Sequence, residues 1–360
     1  MTDSNPGRKN LTGRRSFLAA LAGLPLVPLG LAGCGGKAAG SGPSTAAEPQ
    51  AFPVTITHAF GDTTIAREPT RIATLGLGSN DACLALGVVP TAMPLSQAKP
   101  NGSTPWFDLA LLDFGVAVPL LLDEAKGLPV DDLSGMGPDL ILACNSGLTR
   151  EDYDVLAKIA PVVAYPKVPM ATDWRTVLAM VGKALGRTAK AEEVRKATEA
   201  SISEQLPSYP DLKNSSFVVA NVHSALGSSF EVFGPESNPV RILEEFGIVP
   251  AKSMGVIQAS GRAVHPGGSG PETYEWPASR ASELSADIAI FVVEHNERAG
   301  VLGSGVLNQV PAHKAKNSVL ADLNDNGLAL NAASPLSVKW LARNMVAQLA
   351  QAAYGAKHSS

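Results

Sequence analysis

Charged and aromatic side chains are scarce in this chain, at 17% and 5% of its 360 residues. With a formal net charge of −4 it lacks the broad basic field that nucleic-acid binding requires. A glycine-rich phosphate loop and a nucleophile-elbow sequence are both missing. The six histidines are scattered without metal-ligand spacing. We therefore expect no nucleic-acid partner, no cofactor, no resident metal site and no catalytic residue.

The chain also lacks an apolar run long enough for a membrane-spanning helix, which needs about 20 residues. The candidate run, residues 16–33, is interrupted by Pro25 and Pro28. Arg14-Arg15 precedes this run and Leu31-Ala32-Gly33-Cys34 ends it. This order is typical of a twin-arginine export signal over residues 1–33 that ends in a lipoprotein box.

Cys34 is accordingly predicted to carry a lipid and to begin the mature protein. Residues 34–51 are rich in Gly, Ala, Ser and Pro, a composition that cannot bury enough apolar surface to fold, and we expect a flexible tether. The alternative is a plain secretory signal with an incidental cysteine. Two further cysteines, Cys83 and Cys144, can pair outside the cytoplasm or remain as buried free thiols, and both interpretations stay open.

Strand-like and helix-like segments alternate along the rest of the chain, which favours an α/β class. We expect two Rossmann-like lobes, over residues 52–170 and 207–356, joined by a long helical segment over residues 171–206, with a ligand cleft between the lobes. The first lobe begins with a predicted hairpin that turns at Gly61-Asp62. A long helix over residues 335–354 is expected to close the chain.

Ligands bind outside the carboxyl ends of the strands in open α/β sheets. The loops expected there hold polar and aromatic residues, and we predict ligand contacts from Ser79, Trp106 and Asn145 in the first lobe and from Asn238, Arg262, His265, Tyr274, Trp276 and Arg298 in the second. Trp106, Tyr274 and Trp276 are all expected in loops. Arg262 and Arg298 are expected to face Trp106 and to bind an anionic ligand, since guanidinium groups pair with oxygen donors and stack on rings.

Several segments in order carry a family resemblance: "VTITHAFGDTTIAREPTRIATLG" (54–76), "VDDLSGMGPDLILA" (130–143), "FEVFGPESNPVRILEEFG" (230–247) and "SPLSVKWLARNM" (334–345). Together they resemble the iron-siderophore substrate-binding lipoproteins of ABC importers. These are class III periplasmic binding proteins, whose ligands are ferric siderophores, haem or cobalamin. The resemblance covers nearly the whole mature chain.

The resemblance implies a monomer without enzymatic activity, held by its lipid at the extracytoplasmic face of the cell membrane. It would deliver a ferric siderophore to an ABC permease and its ATPase. Asp131 matches the acidic residue that meets the permease in the first lobe, and Glu275 or Glu283 is nearest to that position in the second.

Two other ligands and one other class of function are alternatives. Haem would need an axial ligand such as Tyr274, His223 or His265, and a cobalamin-type corrinoid is the other candidate ligand. A membrane-tethered enzyme acting on envelope substrates is the rival from a different class.

The lipid anchor is tested by Cys34→Ala. Without the thiol no lipid can attach, so the variant should leave the membrane fraction or accumulate as its precursor. Membrane fractionation and the apparent mass of the product report both effects. Normal processing with unchanged membrane association would contradict the anchor.

Overall fold

The computed structural model describes residues 47–223, 229–265 and 272–358. The expected export signal, Cys34 and most of the tether lie outside these described residues and stay predictions. All the described residues fall in one compact unit. Among them, no helix combines the length and the apolar character that a membrane crossing requires.

A β-hairpin opens the described chain, as the alternating sequence predicts. Strand β1 (Val54–His58) pairs antiparallel with β2 (Gly61–Ile65). The turn lies two residues earlier than expected, because His58 pairs with Gly61 and leaves Ala59 and Phe60 as the loop. The His58 side chain fixes this turn, since its Nδ1 accepts a hydrogen bond from Phe60 N at 3.2 Å.

The first lobe is built on a parallel five-stranded sheet with strand order β5-β4-β3-β6-β7 in the described chain. Its strands are β3 (Ile72–Thr74), β4 (Ala92–Pro94), β5 (Leu120–Leu122), β6 (Leu140–Ala143) and β7 (Val162–Ala164). The helices that accompany them are α1 (Ser79–Ala85), α2 (Pro105–Leu111), α3 (Val130–Met136) and α4 (Arg150–Leu156). Because the strands are parallel, their carboxyl ends and the loops that follow them meet at one edge of the sheet.

Helix α2 corrects one expectation, since Trp106 lies in this helix and not in a loop. Thr104 caps the helix, its Oγ1 accepting a hydrogen bond from Phe107 N at 3.4 Å, and Pro105 occupies the first turn. Phe107 is fully buried, so the apolar side of α2 belongs to the core. The cap and the proline are sequence signals for a helix start.

The segment between the lobes consists of two helices, α5 (Trp174–Ala184) and α6 (Thr188–Ser203). Asp173 caps α5 by accepting hydrogen bonds from Arg175 N and Thr176 N, as its position before the helical pattern suggests. Gly186 separates the helices at a φ of 65°, a left-handed conformation that glycine adopts without strain. The glycine ends the first helical stretch, as its position after the apolar pattern predicts.

A seven-stranded sheet forms the second lobe, with the order β11-β12-β9-β8-β13-β14 and β10 beside β8 in the described residues. Its strands are β8 (Ser216–Asn221), β9 (Ser229–Phe233), β10 (Val249–Pro250), β11 (Arg262–Ala263), β12 (Thr273–Pro277), β13 (Ile288–Val293) and β14 (Ser318–Asp322). Its central strands β8, β13 and β14 are parallel, and β13 is fully buried. On the other side of β8, the pairs β8–β9, β9–β12 and β12–β11 are antiparallel. Around it lie α7 (Asn238–Glu245), α8 (Lys252–Ser260), α9 (Arg298–Gly303), α10 (Pro311–Lys314) and α11 (Asn326–Ala332).

Two further expectations differ from this structure. Tyr274 and Trp276 lie on β12 and not in a loop, because the Thr-Tyr-Glu-Trp segment pairs with β9. The predicted closing helix is two helices, α12 (Pro335–Asn344) and α13 (Val346–His358), which meet at Met345. Met345 is fully buried at this break.

A buried carboxylate connects the first lobe to the C-terminal helices. The Oδ2 atom of Asp81, in α1, accepts hydrogen bonds from Trp106 Nε1 at 2.7 Å and from Ser334 Oγ at 2.5 Å. Ser334 also caps α12, since its Oγ accepts a hydrogen bond from Ser337 N. Burial raises the pKa of Asp81 to about 6, although both hydrogen bonds oppose the shift.

Both described cysteines are buried free thiols, so this structure contains no bridge between Cys83 and Cys144. Burial raises the pKa of each thiol, that of Cys144 to about 12. Thiols that stay protonated at neutral pH are poor nucleophiles and poor metal ligands. Their surroundings are those of core residues.

The charge on Asp81 is tested by Asp81→Asn. The folded state binds the Asp81 proton more tightly than the unfolded state, so the wild type loses stability as the pH rises through about 6, whereas the amide does not titrate. From about pH 4.5 to 7.5, the free energy of unfolding of the variant should rise relative to wild type by about 2 kcal/mol. Denaturant titration at both pH values measures this, with exposed Asp132→Asn as the control. A constant difference between wild type and Asp81→Asn would show that Asp81 stays charged.

Candidate ligand-binding cleft

A cavity of about 1090 Å³ lies between residues that follow β7 and residues of the second sheet and its helix α7. One side is residues 166–176, which lead from β7 into α5. The other side consists of residues of α7 with Glu236, and of residues beside β11 and β12. A cavity of this size between two lobes can enclose a ligand larger than an ordinary metabolite.

A smaller cavity of about 290 Å³ lies around the Asp81 junction. The turn after β3, the segment after β4 and residues of α11 line it, together with Trp106. Ala332 lines this cavity and Ala333 lines the larger one, so the end of α11 contributes to both.

Carboxylates outnumber cationic side chains around the larger cavity. Among the described residues, five acidic residues line it, namely Asp173, Glu236, Glu244, Glu245 and Glu272, against three cationic residues, namely Lys167, Arg175 and Arg241. This balance is the opposite of the electropositive cleft that the sequence suggests.

Several of these charges hold the cavity together. Glu245 accepts hydrogen bonds from Trp174 Nε1 at 3.0 Å and from Arg175 Nη1 at 2.6 Å, and Arg175 also pairs with Glu199 on α6. Arg241 donates from Nη1 to Ala171 O at 2.8 Å and from Nη2 to Glu236 at 2.6 Å. These contacts join α7 to the start of α5.

Two buried polar atoms of the cavity lining have no hydrogen-bond partner within the described part of the chain. They are Thr172 Oγ1 and Asn238 Oδ1, and each residue is only 4% exposed. Leaving a buried polar atom unpaired costs on the order of 1–3 kcal/mol. The two residues come from opposite sides of the cavity.

Three of the predicted ligand residues line this cavity: Asn238, His265 and Tyr274. Tyr274 donates a hydrogen bond from its hydroxyl to Glu272 Oε1 at 2.8 Å. Burial raises the pKa of the Tyr274 phenol, and the nearby Glu272 carboxylate raises it further, so the phenol is neutral. His265 Nε2 lies 3.7 Å from Glu231 Oε1.

Three other predicted ligand residues are engaged inside the protein. Ser79 Oγ accepts a hydrogen bond from Cys144 N, and Asn145 Oδ1 accepts one from Thr172 N. Trp276 is 1% exposed, and Arg280 covers its ring at 3.8 Å. Trp106 lines the smaller cavity and bonds to Asp81. Neither Arg262 nor Arg298 is among the described residues that line that cavity with Trp106.

Arg262 and Arg298 both lie outside the larger cavity as the described residues form it. Arg262 lies on β11 with its side chain 78% exposed and pairs with Glu275 across the strands. Arg298 begins α9 and is exposed. Asp131 is exposed in the first turn of α3, and His223 lies 3.6 Å from Glu297.

Sequence reasoning missed other lining residues, notably Thr172, Trp174, Arg241 and Glu272. Trp174 is 1% exposed, and the guanidinium of Arg175 lies 4.4 Å above its ring. The Asp173 cap was a visible signal for the start of α5. The start of α5 faces α7 because two segments that are distant in sequence pack together. No local sequence pattern predicts this packing.

Residues 72–262 match the model of a family described as periplasmic binding protein. The chain belongs to the periplasmic binding protein family. Its two α/β lobes are those of the class III members. The iron uptake ABC transporter substrate-binding protein PiaA of Streptococcus pneumoniae is similar, with 29% identity and a TM-score of 0.70 over 84% of this chain and 100% of PiaA.

PiaA in complex with ferrichrome is similar at 28% identity and a TM-score of 0.72, over 84% of this chain and 99% of PiaA. A periplasmic solute binding protein from Mycobacterium smegmatis shares 25% identity at a TM-score of 0.70, over 83% of this chain and 98% of that one. A Bacillus subtilis protein bearing the name of an ABC transporter substrate-binding lipoprotein is 25% identical over 187 residues, 50% of this chain. The match spans only about half of that curated relative, 54% of its length.

Two adjacent residues of α7 test the contacts that hold this cavity. Glu245→Ala removes the acceptor of Trp174 Nε1 and one carboxylate of Arg175, and it should lower the free energy of unfolding by about 1–3 kcal/mol. Glu244→Ala is the control, because exposed Glu244 makes no ion pair within 4 Å among the described residues. Thermal melting without ligand compares the two variants. Equal losses would contradict the structural role of Glu245.

Proposed function

We propose that this periplasmic binding protein captures a ferric siderophore outside the cytoplasm and delivers it to an ABC importer. The observation that carries the proposal is the cavity of about 1090 Å³, with unpaired buried polar atoms on both sides. PiaA, the relative named for iron uptake and seen with ferrichrome, supports the ligand class. A chelate held in the cavity would satisfy Thr172 and Asn238 in one binding event.

The proposed action is binding without chemistry. Around the cavity, Asp173 caps a helix, Glu245 is held by Trp174 and Arg175, and Glu236 pairs with Arg241. Side chains committed to fixed partners are suited to shaping a site and unsuited to transferring protons. The periplasmic binding protein fold agrees with this role.

The proposed partners are a permease, its ATPase and the membrane to which Cys34 is anchored. In the first lobe we propose Asp131 as a permease contact, since it is exposed in the first turn of α3. Glu275 is a weaker candidate in the second lobe, because its carboxylate already pairs with Arg262. We further propose that the protein acts as a monomer on the outer face of the membrane.

Haem is a second candidate, favoured by one observation. Tyr274 and His265 both line the larger cavity, and phenolate and imidazole are side-chain ligands of haem iron. The Tyr274 hydroxyl is already engaged by Glu272, which argues against its use as an axial ligand. Titration with haemin separates the two ligands, since axial ligation produces a sharp shift of the Soret band.

Ferric siderophore binding is tested by thermal melting with iron-loaded and iron-free siderophores. Iron-loaded forms should raise the melting temperature, with about 2.7 kcal/mol of stabilisation at a hundredfold excess over the dissociation constant. Thr172→Val and Asn238→Ala should each weaken binding about tenfold, because each loses a hydrogen bond to the ligand. Fluorescence quenching measures the affinities.

Arg262→Ala and Arg298→Ala are the controls for this experiment, since both arginines lie outside the larger cavity. They should bind as tightly as the wild type. Weakened binding in either arginine variant, with Thr172→Val and Asn238→Ala unaffected, would place the ligand elsewhere. No stabilisation by any iron-loaded siderophore would overturn the proposed function.

A further inference from the structure

The second-lobe side of the larger cavity carries a group of acidic residues that we call the carboxylate wall: Glu236, Glu244 and Glu272. The backbone N–H of Glu236 donates to Glu272 Oε2 at 2.7 Å, so these two residues are in direct contact. Glu244, on α7, lines the same side of the cavity. Three carboxylates therefore lie on this side.

Arg241 is the cationic residue beside this wall. Its guanidinium pairs with Glu236 at 2.6 Å. Glu272 receives neutral donors, the Tyr274 hydroxyl at 2.8 Å and the Gln258 amide at 3.3 Å. Among the described residues, the guanidinium thus pairs with one of the three carboxylates, and the wall stays negative.

The first-lobe side of the cavity does not reverse this balance. Arg175 is held between Glu199 and Glu245, with N···O distances of 2.6 Å to each. Asp173 adds a further carboxylate, and Lys167 is an exposed lysine. A charge buried in such a cavity has to be paired with its opposite, which favours cationic over anionic ligand groups.

The unpaired buried atoms point independently to the same kind of ligand. Asn238 Oδ1 is a hydrogen-bond acceptor, and a ligand satisfies it only with an N–H or O–H donor. Thr172 Oγ1 can also accept. Asn238 therefore favours a ligand that brings a donor, whereas the Thr172 hydroxyl can pair with a donor or with an acceptor.

We propose that the carboxylate wall selects ferric chelates without net negative charge and binds a protonated amine of the chelate, an inference that rests on the proposed function. Hydroxamate donors carry a single negative charge per bidentate group, so a full set neutralises ferric iron. Catecholate donors carry double that charge and leave the chelate strongly anionic. The wall repels the second class and attracts a hydroxamate chelate that ends in an ammonium group.

A matched set of ferric chelates tests this inference with the full mature protein. The set is a linear ferric trihydroxamate ending in a protonated amine, its N-acetylated analogue, and a ferric tricatecholate. The first two have the same iron centre and differ by one charge. The amine form should bind at least about tenfold more tightly than the acetylated form, and the tricatecholate more weakly than either. Isothermal titration calorimetry at low and moderate salt measures the affinities.

Glu244→Gln identifies the source of any preference. It removes a charge from the wall without breaking an ion pair, and it should reduce the ratio of amine to acetylated affinity severalfold. Glu193→Gln, at an exposed position of α6 outside the cavity, is the control; it loses only a surface ion pair with Lys190 and should keep the wild-type ratio. Thermal melting confirms that both variants fold.

The outcomes separate this inference from the proposed function. Equal affinities for the amine and acetylated chelates, or tighter binding of the tricatecholate, would overturn the inference and leave siderophore capture standing. A preference that Glu244→Gln leaves unchanged would also overturn it, because the wall would not be its source. Binding of none of the three ferric chelates would overturn both.

Discussion

The buried carboxylate of Asp81 is the constraint on which the arrangement of the two lobes depends. It accepts hydrogen bonds from Trp106 in the first lobe and from Ser334, the cap of α12. A buried carboxylate needs such donors, because its desolvation is otherwise too costly. Helix α1 and the start of α12 therefore have to meet, and residues beside them line both cavities.

Polar contacts of a second kind define the larger cavity. Glu245 and Arg241 join α7 to the residues that begin α5, so the cavity lies beside a cross-linked seam between the lobes. A site supported in this way is largely formed before the ligand arrives, which reduces the ordering cost of binding. Such preorganisation suits a protein that has to capture a dilute chelate and later release it.

Much of the fold could be predicted from the sequence, because the signals for it are local. The apolar run Ile288–Val293 predicts a buried strand, and Asp173 predicts the start of α5. Helix α2 also had a local signal, the cap and proline at Thr104-Pro105. We predicted a loop there because aromatic residues are scarce in this chain, and Trp106 was therefore interpreted as a ligand contact. Where a strong local pattern exists, the element follows from it.

The candidate site depended on contacts that are remote in sequence. From the sequence, Arg262 could bind an anionic ligand. In the folded protein β11 pairs with β12, and Arg262 forms an ion pair with Glu275 instead. From the sequence, the Trp276 ring could stack on a ligand. In the folded protein the same sheet buries this ring, and Arg280 covers it. The acidic lining follows from the approach of α7 to residues 166–176, and no motif in either segment predicts this approach.

The central claim is that the ligand binds in the larger cavity, between Thr172 and Asn238. Anomalous diffraction at the iron edge from crystals of the protein with a ferric siderophore locates the metal directly. We expect a single iron peak inside that cavity, with chelate atoms within hydrogen-bonding distance of Thr172 and Asn238. An iron peak in the smaller cavity beside Asp81, or on the surface near Arg262, would contradict it.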